Sequence, residues 1–288
     1  MNKIRVGSRE SKLAVIQSQM VMEAIRAYDP HAELELVTMK TTGDKILDRT
    51  LDKVGGTGLF VKELDAALMD GRADITVHSS KDLPMELNPE LPLVAFSKRA
   101  DPRDVLVLRA GTTELDRTRP IGCASRRREI QLRKLYPDMD IQPVRGNVQT
   151  RLRKLDEGQY SALILAAAGL KRLGLEDRIS RYFEPSELLP SAGQGILAVQ
   201  ARADVNTSCL DGFRDADATD CIRAERAFVK ELDGGCSSPV AAYAVVDGDT
   251  MTLTGMDAAG NRLSCTGPRS EAEKMGTELA RKSKEANA

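Results

Sequence analysis

Hydrophobic and polar residues alternate in two ways along the first hundred positions. Apolar runs, or apolar residues at every second position, predict strands, whereas apolar residues every three to four positions predict helices with one buried face. The predicted elements are strands at 4–6, 34–38 and 75–77 and helices at 13–28 and 60–69. This alternation of strands and helices predicts a mostly parallel sheet flanked by helices.

Two breaks divide the rest of the chain. The polar segment 98–104 and the proline- and glycine-containing segment 185–194 both predict crossings between domains. Between them we predict strands at 105–108, 121–123, 141–144 and 162–166 and helices at 125–136 and 147–157. Beyond them we predict a strand at 196–200, a helix at 219–232, strands around Gly248 and Gly255, and a polar C-terminal helix. The pattern is that of two α/β lobes and a small α+β domain.

Composition narrows the class of protein. No apolar run approaches the ~20 residues of a membrane span, and the N-terminus lacks an apolar signal core, so we expect a cytoplasmic protein with no membrane partner. The five cysteines are scattered and only two histidines are present, which predicts reduced thiols and no metal site. Aromatic residues make up 3% and Trp is absent, which argues against a nucleic-acid partner.

Positive charge is concentrated in one stretch. Between Arg126 and Lys154 there are nine Lys or Arg and three Asp or Glu, although the whole chain carries a formal charge of −1. Most of the excess is arginine, whose planar fork binds carboxylate or phosphate with two hydrogen bonds. The sequence therefore indicates a polyanionic ligand.

Basic segments recur where a predicted strand meets the start of a helix, at Gly7–Ser11, Ala124–Arg128 and Arg145–Arg151. Free N–H groups at a helix start attract anions, and ligands of open α/β sheets bind beyond the carboxyl ends of strands. We therefore expect the three segments to converge on one cleft. For four further basic residues the favoured interpretation is a solvated helix face: Arg133, Lys134, Arg153 and Lys154.

Asp82 follows the strand at 75–77 and is expected at the same sheet edge. A carboxylate among arginines stays ionised, which suits the stabilisation of a cationic intermediate better than general acid catalysis. A plain Asp-Leu-Pro turn is the alternative interpretation. His78 is interpreted as a structural residue at the strand end.

Cys236 follows two glycines that permit a tight, exposed turn. A thiol in such a place can bond covalently, although most free cysteines are small buried residues. The other four cysteines are interpreted as core residues. The glycines at 55–58 lack the Lys-Ser/Thr of a phosphate loop and are interpreted as a lid or hinge.

Several long segments, taken together and in their order, resemble the porphobilinogen deaminase (hydroxymethylbilane synthase) family nearly end to end. They are GSRES at 7–11, KVGGTGLFVKEL at 53–64, ADITVHSSKDLP at 73–84, RGNVQTR at 145–151, AGLKRLG at 168–174, GQG at 193–195 and GGC at 234–236. The resemblance implies two lobes like those of periplasmic binding proteins, with mixed, mostly parallel sheets, and a small C-terminal α+β domain. With the two breaks, it places the lobes at 1–98 with 195–216 and at 99–194, and the C-terminal domain at 217–288.

The resemblance also implies an activity. Such transferases condense four porphobilinogen molecules head to tail, release ammonia each time, and hydrolyse off hydroxymethylbilane for the biosynthesis of haem and other porphyrins. The growing chain is held on a dipyrromethane cofactor, which the resemblance places in a thioether bond to Cys236. We expect a monomer.

Each pyrrole carries an acetate and a propionate, so the growing chain is a polyanion that requires many cations. The matching positions imply cofactor binding by Lys81, Ser125, Arg127, Arg128 and Arg151 and substrate binding by Arg9, Ser11, Arg145 and Arg172. Asp82 is implied as the catalytic residue, facing the pyrrole nitrogens. There it stabilises the cation left when ammonia departs, and assistance in proton transfer is a second role that the sequence leaves open.

Several positions depart from the family pattern, namely Thr57, Arg126, the pair Cys123-Ala124 and the pair Ser237-Ser238. Thr57 stands where a lysine is common, so we assign it no carboxylate contact. Two other classes of function stay open on the residues alone. A non-enzymatic module that binds an anionic solute would leave Cys236 and the C-terminal domain without a purpose. An unrelated cysteine-dependent transferase would need a base near its thiol, which two histidines hardly supply.

Overall fold

A computed structural model describes residues 3–42, 61–234 and 238–286. The chain forms two compact units, Met1–Arg99 with Ile196–Asp220 and Ala100–Gly195 with Cys221–Ala288. The C-terminal residues therefore group with the middle of the chain. The further division of the second unit into a lobe and a separate domain stays a prediction.

The described strands and helices follow closely on one another. The strands are β1 (Ile4–Arg9), β2 (Leu34–Met39), β3 (Ile75–Ser79), β4 (Leu93–Phe96), β5 (Asp104–Leu108), β6 (Ile121–Cys123), β7 (Ile141–Pro143), β8 (Ala162–Ala166), β9 (Arg181–Tyr182), β10 (Leu197–Ala201), β11 (Ala241–Asp247), β12 (Thr250–Met256) and β13 (Arg262–Pro268). The helices are α1 (Lys12–Tyr28), α2 (Lys62–Met69), α3 (Arg126–Leu135), α4 (Val148–Asp156), α5 (Ala167–Arg172), α6 (Ala216–Glu231) and α7 (Ala272–Ala286). Of these, β4, β9 and α5 were not predicted, because short elements have too few positions to show a period.

The sheet of the first unit has the strand order β2-β1-β3-β10-β4. Strand β1 is parallel to β2 and β3, whereas β10 is antiparallel to both of its neighbours. Helix α1 covers one face through Val21, Met22 and Ile25, which pack with Val6 and Ile75. The helical spacing of these apolar residues is what buries this side of the helix.

The sheet of the second unit repeats the same arrangement, with the order β7-β6-β8-β5-β9 and β5 as its antiparallel strand. In each sheet, four of the five strands run in one direction, so both sheets are mixed and mostly parallel. Each antiparallel strand directly follows a crossing, since β5 comes after Arg99 and β10 after Gly195. All residues of both strands are buried, so the sequence shows an apolar run without indicating direction.

The C-terminal part of the second unit contains the antiparallel sheet β11-β12-β13. Helix α7 packs on β12 and β13, and its buried residues include Met275 and Leu279. The predicted polar helix thus has an apolar face. Gly255 lies inside β12 rather than at a turn, and a side chain there would collide with the ring of Phe228. Among the helices of the described ranges, none is long and apolar enough to cross a membrane.

Candidate functional site

In the first unit, the predicted site residues lie where β1 and β3 end. Arg9 is the last residue of β1, and Ser11 is the N-cap of α1, where its hydroxyl accepts a hydrogen bond of 3.4 Å from the Ala14 amide. This bond satisfies one of the free N–H groups at the helix start. The segment Arg9–Ser11 therefore ends β1 with a positively charged residue and begins α1 with an N-capping serine.

Asp82 ends a short 3-10 turn, Ser80–Asp82, that directly follows β3. The Ser80 amide donates to the Ile196 carbonyl at 3.0 Å, and the Leu83 amide to the Ser80 carbonyl at 3.3 Å. Within this turn Lys81 is half-buried and Asp82 is exposed. The backbone thus fixes the position of a carboxylate that remains open to solvent.

Arg9 and Asp82 line the same small cavity, together with His78, Ser79 and Gln17. Its volume of about 30 Å³ accommodates water rather than a pyrrole ring. A ligand of that size must therefore approach Asp82 from its exposed side. The structure brings a cation and the predicted catalytic carboxylate to one place in this unit.

His78 is a buried, neutral member of this group. Its side chain is 7% exposed, and Nε2 lies 2.9 Å from the Thr76 hydroxyl. Burial, helped by the positive charge of Arg9, lowers the pKa of His78 to about 4. At neutral pH the imidazole therefore carries no charge beside Arg9.

In the second unit, two helix starts carry predicted ligand residues. Ser125 is the N-cap of α3, and its side chain makes no capping hydrogen bond. Asn147 is the N-cap of α4, and its side chain accepts from the Thr150 amide at 2.9 Å. Arg151 Nε donates to the Gly146 carbonyl at 2.8 Å, which holds this guanidinium at the start of α4.

Arg127 and Arg128 are buried and share the carboxylate of Asp104. The exposed fractions are 3% for Arg127, 5% for Arg128 and zero for Asp104. Arg127 Nη2 lies 2.7 Å from Asp104 Oδ2, and Arg128 Nε and Nη2 lie 3.0 and 2.6 Å from Oδ1. Burial alone would raise the pKa of Asp104, but the two guanidinium groups outweigh it and hold that pKa well below its usual range. Cofactor binding by the two arginines stays a prediction.

Arg145 and Arg172 differ from that pair because each has a buried Nε with no hydrogen-bond partner among the described residues. Arg172 Nη2 donates to the Gly195 carbonyl at 2.8 Å, and burial lowers the pKa of Arg172 to about 10. A buried, positively charged N–H that has lost water without gaining a partner gains most from binding an anion. These two side chains therefore have the properties expected of carboxylate ligands.

The predicted cofactor attachment site, Cys236, lies outside the described residues, as do Thr57 and the glycines at 55–58. The four described cysteines are free thiols, with Cys123 and Cys221 buried and the other two half-buried. Burial raises the pKa of the Cys123 thiol. No group of three or more His, Cys, Asp or Glu in the described ranges could hold a metal ion.

Two residues of this region had no role in the sequence analysis. Asp104 begins an apolar strand, and nothing in the sequence links it to arginines 23 and 24 positions later. Gln194 belongs to a segment that carried the family resemblance, but its Nε2 donates to Asp104 Oδ1 at 2.9 Å and so joins the same cluster. The one sequence signal for this role of Asp104 is its charge at the start of an apolar strand, because a buried charge requires a partner.

Models of protein families match nearly the whole chain. Residues 4–209 match "Porphobilinogen deaminase, dipyromethane cofactor binding domain", and residues 219–285 match "Porphobilinogen deaminase, C-terminal domain". Two curated relatives, both named porphobilinogen deaminase, agree. The protein of Acetivibrio thermocellus is 60% identical over 282 residues, covering 96% of this chain and 97% of the relative. That of Chromobacterium violaceum is 47% identical over 291 residues, covering 98% and 94%.

Among solved structures, the periplasmic aliphatic sulphonate binding protein SsuA of Escherichia coli aligns with 81% of this chain and 71% of its own. The identity is 11% and the TM-score 0.44, so the fold class rests on the strand order of the two sheets rather than on this alignment. The matches to both family models and the identity to the relatives over almost the full length agree with one another. The chain belongs to the porphobilinogen deaminase family.

Proposed function

We propose that the chain condenses four porphobilinogen molecules head to tail, releases ammonia at each condensation and hydrolyses off hydroxymethylbilane for tetrapyrrole biosynthesis. Membership of the family supports this activity. The positions of several basic residues support it independently, because Arg9 ends β1 and Arg127, Arg128 and Arg151 lie in the first turns of α3 and α4.

The observation that carries the proposal is the state of Arg145 and Arg172. Both keep a buried Nε without a hydrogen-bond partner in the part of the chain that the structure describes. The acetate and propionate groups of porphobilinogen are the kind of anion that a guanidinium binds with charge-assisted hydrogen bonds. We therefore assign substrate binding to these two arginines together with Arg9 and Ser11.

The residues present fit a dipyrromethane, which carries carboxylates of the same kind. Lys81, Ser125, Arg127, Arg128 and Arg151 would hold it, with Cys236 as its covalent attachment. When bound, the cofactor supplies the pyrrole to which the first substrate molecule is added. Residues 217–288 would then serve as the domain that anchors it.

Asp82 is the residue to which we assign catalysis. Departure of ammonia from porphobilinogen leaves a cation, and a fixed carboxylate beside the reacting pyrrole stabilises that developing charge. The hydrogen-bonded turn after β3 fixes the backbone at Asp82, whose side chain is exposed. As its second proposed role, the same carboxylate accepts a proton from a pyrrole nitrogen.

We also infer that the chain acts as a monomer in the cytoplasm and binds no nucleic acid. Light scattering coupled to size-exclusion chromatography tests the first point. A single species at the 31.4 kDa of one chain is expected, and a stable dimer would contradict it.

Denaturing intact-mass measurement tests the proposed chemistry. The purified chain should carry the added mass of a dipyrromethane, should turn over porphobilinogen, and should lose both properties on Cys236→Ser. Cys265→Ser, which changes a half-buried thiol of β13, is the matched control and should keep both. An active wild-type chain with no adduct would refute covalent attachment of the cofactor.

A further inference from the structure

The cluster around Asp104 suggests how the arginines of the second unit are held. Asp104 begins β5, where its backbone pairs with Ala166 and its carbonyl accepts from the Phe183 amide at 3.0 Å. Its main chain is therefore fixed on both sides. A carboxylate on a fixed strand end is a rigid reference point for any side chain bound to it.

Both arginines bind the Asp104 carboxylate through specific N–H groups of their guanidinium planes. Arg128 uses Nε and Nη2 for one carboxylate oxygen, and its Nη1 donates to the Ile164 carbonyl at 3.1 Å. Arg127 uses Nη2 for the other oxygen, and its Nη1 donates to the Leu189 carbonyl. A guanidinium is planar and has five N–H donors, so fixing some of them sets the direction of the rest.

Gln194 completes the cluster from a second chain segment. Its Nε2 lies 2.9 Å from Asp104 Oδ1 and 2.6 Å from the Pro102 carbonyl. Gln194 belongs to the loop Gly193–Gly195. This loop is held in place by the buried carboxylate of Glu225, which accepts a hydrogen bond from the Gly193 amide at 2.7 Å. Gly193 and Gly195 have φ of 71° and 89°, a conformation that favours glycine, and the Gly195 carbonyl accepts from Arg172.

We propose that Asp104 and Gln194 are positioning residues for carboxylate binding: Asp104 fixes Arg127 and Arg128, and Gln194 fixes Asp104 while its loop holds Arg172. The inference rests on the proposed function. Neither residue contacts the reacting atoms in this scheme. Their effect is to hold the guanidinium groups in the binding orientation before a ligand arrives, which lowers the cost of binding.

The alternative is a purely structural ion cluster, and two variants separate the cases. Asp104→Asn removes the charge shared by two buried arginines, and Gln194→Met removes the amide that donates to Asp104 and to the Pro102 carbonyl while all charges stay. If the residues position the arginines, Gln194→Met raises the KM for porphobilinogen through Arg172 and leaves kcat nearly unchanged, whereas Asp104→Asn slows the loading of the dipyrromethane through Arg127 and Arg128. We expect a KM rise of roughly two- to tenfold for Gln194→Met, from the loss of its hydrogen bonds, and loading at least about tenfold slower for Asp104→Asn.

A second measurement does not depend on turnover by the loaded enzyme. Unloaded chain is mixed with the dipyrromethane precursor, and the fraction carrying the adduct is followed by intact mass. Gln194→Met should load more slowly than wild type. The matched control is Asp138→Asn, whose carboxylate is 79% exposed and lies 3.8 Å from Arg117, and it should load like wild type.

Coupling to the arginines gives the deciding result. In an Arg128→Lys background, the effect of Gln194→Met on loading should shrink towards onefold, since residues that act as one unit are not additive. Wild-type KM and loading in a folded Gln194→Met variant, or a fall in kcat alone, would overturn the inference. If Asp104→Asn does not fold, Gln194→Met decides. A wild-type chain with neither adduct nor turnover would instead refute the proposed function.

Discussion

The buried imidazole of His78 gives a quantitative test of the environment around Asp82. The substitution His78→Gln keeps a polar side chain of similar reach but removes the titrating group. In the wild type, protonation would place a second positive charge beside Arg9 on a side chain that is 7% exposed. Acid should therefore destabilise the wild-type first unit more than it destabilises the variant.

The magnitude follows from proton linkage. The pKa of His78 falls from 6.5 in the unfolded chain to about 4 in the folded one. The unfolded chain therefore binds the proton more tightly, so this contribution to stability is complete above pH 6.5 and is lost as the pH falls towards 4. At 1.36 kcal/mol per pKa unit the full loss is about 3 kcal/mol, and about 2 kcal/mol of it falls between pH 7 and pH 5.

A second, half-buried group works in the opposite direction over the same range. Burial raises the pKa of Asp65 from 3.8 to about 6, so its contribution favours the folded state at low pH and is lost as the pH rises through 6. The pH dependence of the wild type alone therefore mixes two opposing effects. The difference between wild type and His78→Gln cancels the contribution of Asp65 and isolates that of His78.

The assay is urea unfolding at pH 7 and pH 5, followed by far-UV circular dichroism because the chain contains no Trp. His31→Gln, which changes the exposed histidine, is the control. With two histidines in the chain, proton NMR also follows each imidazole directly, and His31→Gln assigns the signals. Equal losses of unfolding free energy in wild type and His78→Gln, or a His78 signal that titrates near pH 6.5, would refute the reasoning.

Three further substitutions test other parts of the molecule. Gly255→Ala should lower the unfolding free energy by about 1–3 kcal/mol, because the methyl group of the new alanine overlaps the buried Phe228 ring. As a control, Thr252→Ala on the exposed side of the same strand should have little effect in the same urea titration. Arg172→Leu should raise the KM for porphobilinogen by about tenfold or more. It should not lower the unfolding free energy, because it removes a cation that burial disfavours. A wild-type KM in this variant would contradict the assignment of Arg172 to substrate binding. Asp82→Asn should lower kcat by about a hundredfold or more. The unfolding free energy should change by less than about 0.5 kcal/mol, since the side chain is exposed. Near-normal turnover in this variant would rule out the catalytic role of Asp82.

Periodicity predicted most of the elements but not the direction of β5 and β10. The spacing of Val21 and Ile25 marks the buried side of α1, and the alternation at 34–38 marks β2, in which Leu34 and Leu36 are partly buried and Glu35 is exposed. All residues of strands β5 and β10 are buried, so their sequences contain no alternation of buried and exposed positions. Their antiparallel direction depends on where the chain crosses between units, which no local pattern records.

The site could be predicted as far as local sequence determines geometry. Arg9 and Asp82 come from strand ends of one sheet, and the rule that parallel strands share a carboxyl edge was enough to place them together. The partners of Arg127 and Arg128 were not accessible in this way. Asp104 and Gln194 are 90 positions apart in sequence, and their contact exists only in the folded unit.

The positions of Asp104 and Gln194 in the chain connect the fold to the proposed chemistry. Asp104 follows the first crossing by a few residues and Gln194 lies just before the second, so the segments that define the two units also hold the arginines. The Ala100 amide donates to the Gly195 carbonyl at 3.1 Å, which ties the two crossings to each other, and the same carbonyl accepts from Arg172. A change of backbone conformation at either crossing must therefore alter the hydrogen bonds of three arginines. For this reason we expect substitutions at the crossings, such as Gly195→Ala at φ of 89°, to weaken carboxylate binding before they unfold the protein.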